Sequence, residues 1–302
     1  MTTLPNCLGA LEDFLVRLQY QQNMSVHTVQ AYRRDLTKFI DFIRLHDLND
    51  FSALTPKLAI QFPAKLHAQG LGGKSIQRAL SATRSFYQFL IESNKASINP
   101  FMGVRAPKAQ KKLPSTLSVD EVAHLLSAMP DTKLGLRDKA IIELIYSAGL
   151  RLSELVNVNI EAYQASDGML SVMGKGNKQR LAPIGEKAKM AIETWIKIRA
   201  ELISPNEDAL FISQRGTRLA NRTIQARLNY WAKQSGLNRK LHPHMLRHSF
   251  ASHILESSGN LRAVQEMLGH ANISTTQIYT HLDFQHLAKV YDQAHPRARK
   301  RK

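Results

Sequence analysis

Four side chains that can act on a phosphodiester lie close together in the sequence, between residues 242 and 281. His244 and Arg247 are three residues apart, so a helix would place them on one face. The planar guanidinium of Arg247 can bind two phosphate oxygens, and His244 and His270 can donate to a phosphate or move a proton. Tyr279 can attack phosphorus. These residues predict a site that breaks a phosphodiester and stores its bond energy in a phosphotyrosine ester, without ATP.

Three consecutive helices are expected to position these residues. Pro243 suits a first helical position, and apolar residues at every fourth position after it predict an amphipathic helix that ends at Gly259. A second helix is expected over about residues 261–268, which leaves His270 on the turn that follows. A capping-box pattern then predicts a third, short helix that contains Tyr279.

The histidines also fit a metal site, but the sequence argues against one. His244 and His248 have the H-x-x-x-H spacing of a zinc protease, yet a methionine stands where that motif has its glutamate, and no third ligand is evident. The sequence therefore predicts neither a metal nor a cofactor. His248, His253 and His281 are assigned structural roles by default. A single tyrosine on a helix is more often a core residue than a nucleophile, so the role of Tyr279 depends on its neighbours.

An arginine nearer the middle of the chain also suits phosphate binding. Arg151 follows a glycine turn at Gly149 and precedes a short helix, an arrangement that would hold its side chain rigidly. Considered alone, it fits a surface ion pair with Glu154 equally well.

A lysine on a predicted hairpin is a further candidate. Two segments of strand character within residues 170–184 are separated by a glycine-rich turn at 174–178, which predicts a β-hairpin. Lys175 on that turn has a mobile ammonium that can enter a DNA groove, although a solvated turn lysine is the commoner case. Lys178 and Arg180 are expected to contact the DNA backbone at most.

The motifs resemble those of the tyrosine recombinases, also called the phage-integrase family. The family pattern H-x-x-R, L-G-H and a tyrosine nine residues later is similar to His244-Met245-Leu246-Arg247, Leu268-Gly269-His270 and Tyr279. The G-L-R-x-S-E-L box matches residues 149–155, and the G-K-G-x-K hairpin matches residues 174–178. The resemblance implies six catalytic residues, with Tyr279 as the nucleophile: Arg151, Lys175, His244, Arg247, His270 and Tyr279.

The composition favours a polyanionic partner. Lys and Arg outnumber Asp and Glu by 41 to 24, the net charge is +17 and the pI is about 10.1. The single cysteine, Cys7, excludes an internal disulfide and fits a reducing cytoplasm. No apolar run is long enough to span a membrane, and the N-terminus has no signal-peptide pattern. We expect a cytoplasmic DNA-binding protein.

The chain is expected to be mainly α-helical with small β-hairpins, in two domains. Residues 1–102 have only helical patterns, and their lysines and arginines, among them Arg78 and Arg84, include possible phosphate contacts. Residues 103–114 combine prolines, glycine and basic residues and predict a linker. The resemblance implies a helical core-binding bundle of the SAM-like type before the linker and an α+β tyrosine-recombinase catalytic domain over 115–302.

The C-terminal segment resembles that of the paired bacterial recombinases that resolve chromosome dimers during cell division. The residues that carry this resemblance are Leu282-Asp283-Phe284-Gln285-His286-Leu287-Ala288 and His295-Pro296-Arg297-Ala298. This implies double-stranded DNA cut and rejoined through a 3′-phosphotyrosine, by a cyclic heterotetramer formed with a sister recombinase. An apolar stripe would then dock on the neighbouring subunit; it comprises Phe284, Leu287, Val290 and Tyr291. A mobile-element integrase of the same family and a non-catalytic DNA-binding factor are the alternatives.

Overall fold

The computed structural model describes residues 5–48, 50–107, 115–164, 167–174, 179–269 and 290–298. The chain divides into two compact units, Met1–Lys112 and Leu113–Lys302. Arg151, His244 and Arg247 are among the described residues. Lys175, His270, Tyr279 and the short helix predicted around Tyr279 lie outside them.

The first unit is helical. Its helices are α1 (Pro5–Tyr20), α2 (Val26–Leu45), α3 (Pro56–Ala59), α4 (Gln61–Ala68) and α5 (Gly73–Glu92), with a 3-10 turn at Phe51–Ala53. Aromatic side chains fill the core, where the ring of Phe39 contacts the rings of Phe51, Phe62, Tyr87 and Phe101.

Two basic residues proposed as phosphate contacts have structural partners in this unit. The guanidinium of Arg78 forms two hydrogen bonds with the buried carboxylate of Asp35, at 2.7 and 3.0 Å. Arg84 donates to the backbone carbonyls of Phe101 and Val104 and so fixes the segment that follows α5. Both side chains therefore stabilise the bundle itself.

The second unit combines helices with one small sheet. Its helices are α6 (Val119–Ser127), α7 (Lys133–Ala148), α8 (Leu152–Val156), α9 (Glu186–Arg199), α10 (Asn221–Gln234), α11 (Pro243–Ser258) and α12 (Leu261–Leu268). A 3-10 turn at Ile160–Ala162 precedes the strands β1 (Tyr163–Gln164), β2 (Met169–Met173) and β3 (Gln179–Pro183). The sheet is antiparallel in the order β1-β2-β3, and the predicted hairpin of β2 and β3 is confirmed.

Helix α7 lies at the centre of the second unit, packed against α9 and α11. It ends at Gly149, whose φ of 58° is the left-handed conformation that favours glycine. A side chain at this position would collide with the ring of Phe250 from α11, because a Cβ atom would lie 2.6 Å from the nearest ring carbon. The close approach of the α7 end to α11 brings Arg151 near Arg247.

Several predicted helix boundaries are confirmed, and one predicted cap and one predicted hairpin are wrong. Pro243 at the start of α11 and the bounds of α12 are as predicted. The spacing of Ser118 and Glu121 in the sequence predicts a capping box, which is present at the start of α6. The sequence also predicts Ser75 as a helix cap, but α5 begins after Gly72. The glycine at 216 suggests a second hairpin, but only an isolated bridge forms there, between residues 212 and 218.

One described member of the C-terminal stripe packs in its own unit, which corrects its assignment to a subunit interface, while docking of the rest of the stripe stays a prediction. Tyr291 is fully buried in the core of its own unit, and its hydroxyl lies 2.5 Å from that of Ser147 on α7. Val290 also packs against this core. Phe284 and Leu287 lie outside the described residues.

Polar contacts fix this segment to α7. Arg297 forms two hydrogen bonds with the buried carboxylate of Glu143. His295 stacks on Tyr291 with ring centroids 4.9 Å apart, and its Nε2–H donates to the Tyr146 carbonyl at 3.1 Å. Burial lowers the pKa of His295 to about 3, so this imidazole is neutral. Residues 290–298 are therefore part of the domain core.

No helix among the described ranges is both long enough and apolar enough to cross a bilayer.

Tyr291→Ala should destabilise the protein by about 3–5 kcal/mol, because it removes a large side chain from a filled core. Tyr291→Phe, the matched control, should cost about 1 kcal/mol, since only the hydroxyl contact is lost. Urea denaturation at two protein concentrations measures both. A loss that appears only at high concentration would instead place Tyr291 in a subunit interface.

Candidate active site

The site is built around one buried carboxylate, that of Glu154 on α8. Only 3% of this side chain is exposed. Glu154 accepts from the backbone N–H of Arg151 at 2.9 Å and from its guanidinium at 2.5 Å. The ion pair considered for Arg151 therefore exists, but its carboxylate is buried instead of on the surface. It orients an arginine that keeps 39% of its side chain exposed.

Arg247 approaches the same carboxylate from α11. Its guanidinium lies 3.9 Å from Glu154 and only 8% of its side chain is exposed. It donates to the carbonyl of Gly149, at the end of α7, and to that of Leu268 at 2.8 Å. These bonds fix the guanidinium between the C-terminal ends of two helices, where partial negative charge accumulates.

Arg180 on β3 is a third arginine at this carboxylate. It donates to Glu154 at 3.0 Å and to the Met267 carbonyl at 2.8 Å. Its guanidinium binds protein groups, a structural role that the sequence did not predict.

The three arginines bind three consecutive carbonyls at the end of α12. Arg180 binds that of Met267, Arg247 that of Leu268, and Arg151 that of Gly269 at 3.3 Å. Backbone carbonyls in the last turn of a helix have no partner inside it, so the guanidiniums satisfy them. His270 is the next residue in the sequence after this turn, whose carbonyls the three guanidiniums bind.

The group formed by Glu154 and its three arginines has a net positive charge. Burial alone would raise the pKa of Glu154, but Arg180, together with the backbone N–H and side chain of Arg151, outweighs burial and lowers it. Burial and the charges of Arg151 and Arg180 lower the pKa of Arg247 to about 10, so Arg247 stays protonated at neutral pH. Three cations around one anion make a site that is complementary to a phosphodiester.

His244 lies in the first turn of α11, one turn before Arg247. Partial burial is the main cause that lowers its pKa below 6.5, and the charges of the neighbouring His248, His242 and Arg247 lower it further. Its ring is therefore mainly neutral at neutral pH, the form that accepts a proton. His242, by contrast, caps the helix, since its Nδ1 accepts from the Met245 N–H at 3.0 Å.

The structure thus brings Arg151 and Arg247 together and places His244 on the same helix as Arg247. Lys175, His270 and Tyr279 fall outside the described residues. In the part of the chain that is described, no three metal-ligating side chains are grouped together.

Sequence reasoning missed Glu154 and Arg180 as members of the site. A signal existed for Glu154, because it is three residues after Arg151, which is the spacing of a capping box. No comparable signal existed for Arg180, whose inward direction depends on the register of β3 with β2.

Comparison with known proteins identifies the family. The model of the phage integrase family matches residues 115–286, and that of the phage integrase N-terminal SAM-like domain matches residues 11–94. The chain belongs to the phage integrase family. The predicted fold class and the prediction of a site-specific tyrosine recombinase are thereby confirmed.

Curated members of the phage integrase family are similar over almost the whole chain. "Tyrosine recombinase XerC" of Pseudomonas aeruginosa is 49% identical over 295 residues, which cover 96% of each chain. The protein of the same name from Alcanivorax borkumensis is 49% identical over 300 residues, covering 98% of this chain and 97% of the relative.

Solved structures of the phage integrase family share the fold. The XerH site-specific recombinase bound to a palindromic difH substrate has a TM-score of 0.69 at 22% identity, covering 95% of this chain and 87% of that one. A lambda integrase dimer bound to a core site has a TM-score of 0.68 at 19% identity, covering 90% and 98%. At these identities the likeness concerns the fold alone.

His244 should titrate below its usual value of 6.5 in an NMR titration of the histidine rings. His248→Gln should move this midpoint upward, because it removes one neighbour that disfavours the charged form. His124→Gln, on α6, is the control and should leave the midpoint in place. A His244 midpoint at or above 6.5 in the unmodified protein would contradict a neutral proton acceptor.

Proposed function

We propose that this recombinase cuts and rejoins double-stranded DNA through a 3′-phosphotyrosine formed by Tyr279. The observation that supports the proposal is the pair of arginines, Arg151 and Arg247, oriented by one buried carboxylate with positive charge in excess. This is an arrangement for binding a phosphodiester and for stabilising the charge that develops on it.

In the proposed first step, the hydroxyl oxygen of Tyr279 attacks phosphorus in line. A bond forms between this oxygen and phosphorus, and the bond from phosphorus to the 5′-oxygen breaks. His244 accepts the tyrosine proton and Lys175 donates a proton to the departing 5′-hydroxyl. Arg151 and Arg247 hold the phosphate oxygens.

His270 is proposed to donate to a further phosphate oxygen and orient it. In the second step the 5′-hydroxyl of a partner strand attacks the phosphotyrosine, which releases Tyr279 and joins the exchanged strands. The energy of the broken bond is kept in the ester, so neither a nucleotide nor a metal is needed in this scheme.

We propose the biological role and the partner from the relatives. Proteins named XerC are similar along nearly the full chain, which supports a cytoplasmic role in resolving chromosome dimers at cell division. We propose XerD as the sister recombinase in a cyclic heterotetramer on the recombination site. We also propose residues 1–102 as the core-binding domain, 103–114 as the linker and 115–302 as the catalytic domain. The SAM-like match over 11–94 supports this division.

Tyr279→Phe should bind a nicked DNA recombination site as the unmodified protein does but form no covalent adduct, since only the attacking oxygen is lost. The unmodified protein should form the adduct even in EDTA. Denaturing gels measure the adduct and native gels measure binding.

The control is Tyr230→Phe, an exposed tyrosine on α10, which should form the adduct normally. An adduct of undiminished yield in Tyr279→Phe would exclude Tyr279 as the nucleophile.

On a DNA fragment that carries the full recombination site, adding XerD should increase the fraction of DNA bound by this protein cooperatively. Native gels measure the bound fraction. Independent binding of the two proteins would contradict the heterotetramer.

A further inference from the structure

Arg180 is buried where a charged side chain is costly. Only 14% of the side chain is exposed, and burial is the main cause that lowers its pKa. Its Nε–H is shielded from solvent and finds no hydrogen-bond acceptor within the described ranges. A buried guanidinium that shares one carboxylate with two other arginines contributes little to the stability of the fold. An apolar side chain of similar volume would give a more stable protein.

Arg180 connects Glu154 on α8 with the end of α12, and each of these binds one of the two arginines proposed to bind phosphate. Through Glu154 on α8 it acts on the carboxylate that orients Arg151. Through the Met267 carbonyl it acts on the end of α12, beside the Leu268 carbonyl that Arg247 binds. The planar fork of an arginine can bridge these two acceptors, whereas the single ammonium of a lysine cannot hold both in the same geometry.

The turn after α12 is shaped around this side chain. Gly269 has a φ of 63°, and a Cβ at this position would lie 2.8 Å from Cδ and 2.9 Å from Nε of Arg180. Glycine is therefore required for the backbone conformation and for the approach of the arginine. Arg180, Gly269 and the carbonyls of α12 form one packed contact.

We propose that Arg180 is a positioning residue for DNA cleavage, which fixes the Glu154 carboxylate and the end of α12 and thereby the two arginines that bind phosphate. The inference rests on the proposed function, because it assigns Arg151 and Arg247 to the scissile phosphate. We assign Arg180 no contact with DNA, since its two bonded nitrogens face Glu154 and the Met267 carbonyl. Small displacements of positioned groups cost about 100-fold in rate, so its loss affects the chemical step more than DNA binding.

The test compares Arg180→Lys and Arg180→Gln with the same changes at Arg199, all in the full-length protein. Arg199 is a buried arginine of the same unit that donates to the carbonyls of Ala209 and Glu207 and has no bond to the site. Three quantities are measured: the urea midpoint, the affinity for a nicked half-site, and the single-turnover rate of adduct formation from acid to neutral pH.

Arg180→Lys should lower the rate of adduct formation by about 10-fold and Arg180→Gln by about 100-fold, with half-site affinity retained. The Arg199 variants should lose comparable stability and keep the rate. The charged groups that face Glu154 in the described structure are Arg151, Arg180 and Arg247. Arg180→Gln removes one of these cations, so the carboxylate takes up a proton at higher pH and the acid limb of the rate profile moves upward. Arg180→Lys should move it less.

Rates equal to those of the Arg199 variants at matched stability would overturn the inference. If Arg180→Gln does not fold, the rate of Arg180→Lys relative to Arg199→Lys decides the test. Lysine retains the positive charge and loses only the planar, two-pronged geometry of the guanidinium. Failure of the unmodified protein to form any adduct would instead overturn the proposed function, and this inference with it.

Discussion

One buried carboxylate, Glu154, holds the site together. Three guanidiniums surround it, and each also binds one of three consecutive carbonyls at the end of α12. Charges this close inside a protein need compensation, and one carboxylate leaves an excess of positive charge. The negative charge of a bound phosphodiester would offset part of this excess, which supports the proposed role of Arg151 and Arg247.

The second unit brings four elements together around this carboxylate. Four elements must meet at Glu154: the start of α8, strand β3, helix α11 and the end of α12. Left-handed glycines at Gly149 and Gly269 allow the backbone to turn sharply where the arginines approach. The C-terminal segment is held on α7 by Tyr291 and Arg297. Residues 261–269 and 290–298 are thus both fixed to the second unit.

Local signals in the sequence predicted much of this arrangement. The bounds of α12, the start of α11 and the hairpin depend on caps, proline and strand periodicity, which act over a few residues. Arg180 was expected to contact the DNA backbone at most, because nothing local distinguishes an inward arginine on a hairpin from a solvated one. Tyr291 was assigned to a neighbour because an apolar stripe does not specify what covers it. Both outcomes depend on contacts between residues far apart in sequence.

The most direct test of the account is the single-turnover rate of covalent adduct formation by Glu154→Gln on a nicked half-site, measured beside half-site affinity. The matched control is Asp138→Asn, a buried carboxylate of the same unit bound by Arg137, Arg227 and Trp231, away from the site. We expect a rate about 100-fold lower for Glu154→Gln, with half-site affinity nearly unchanged and a normal rate for the control. Equal rates for the two variants would contradict a site organised by Glu154.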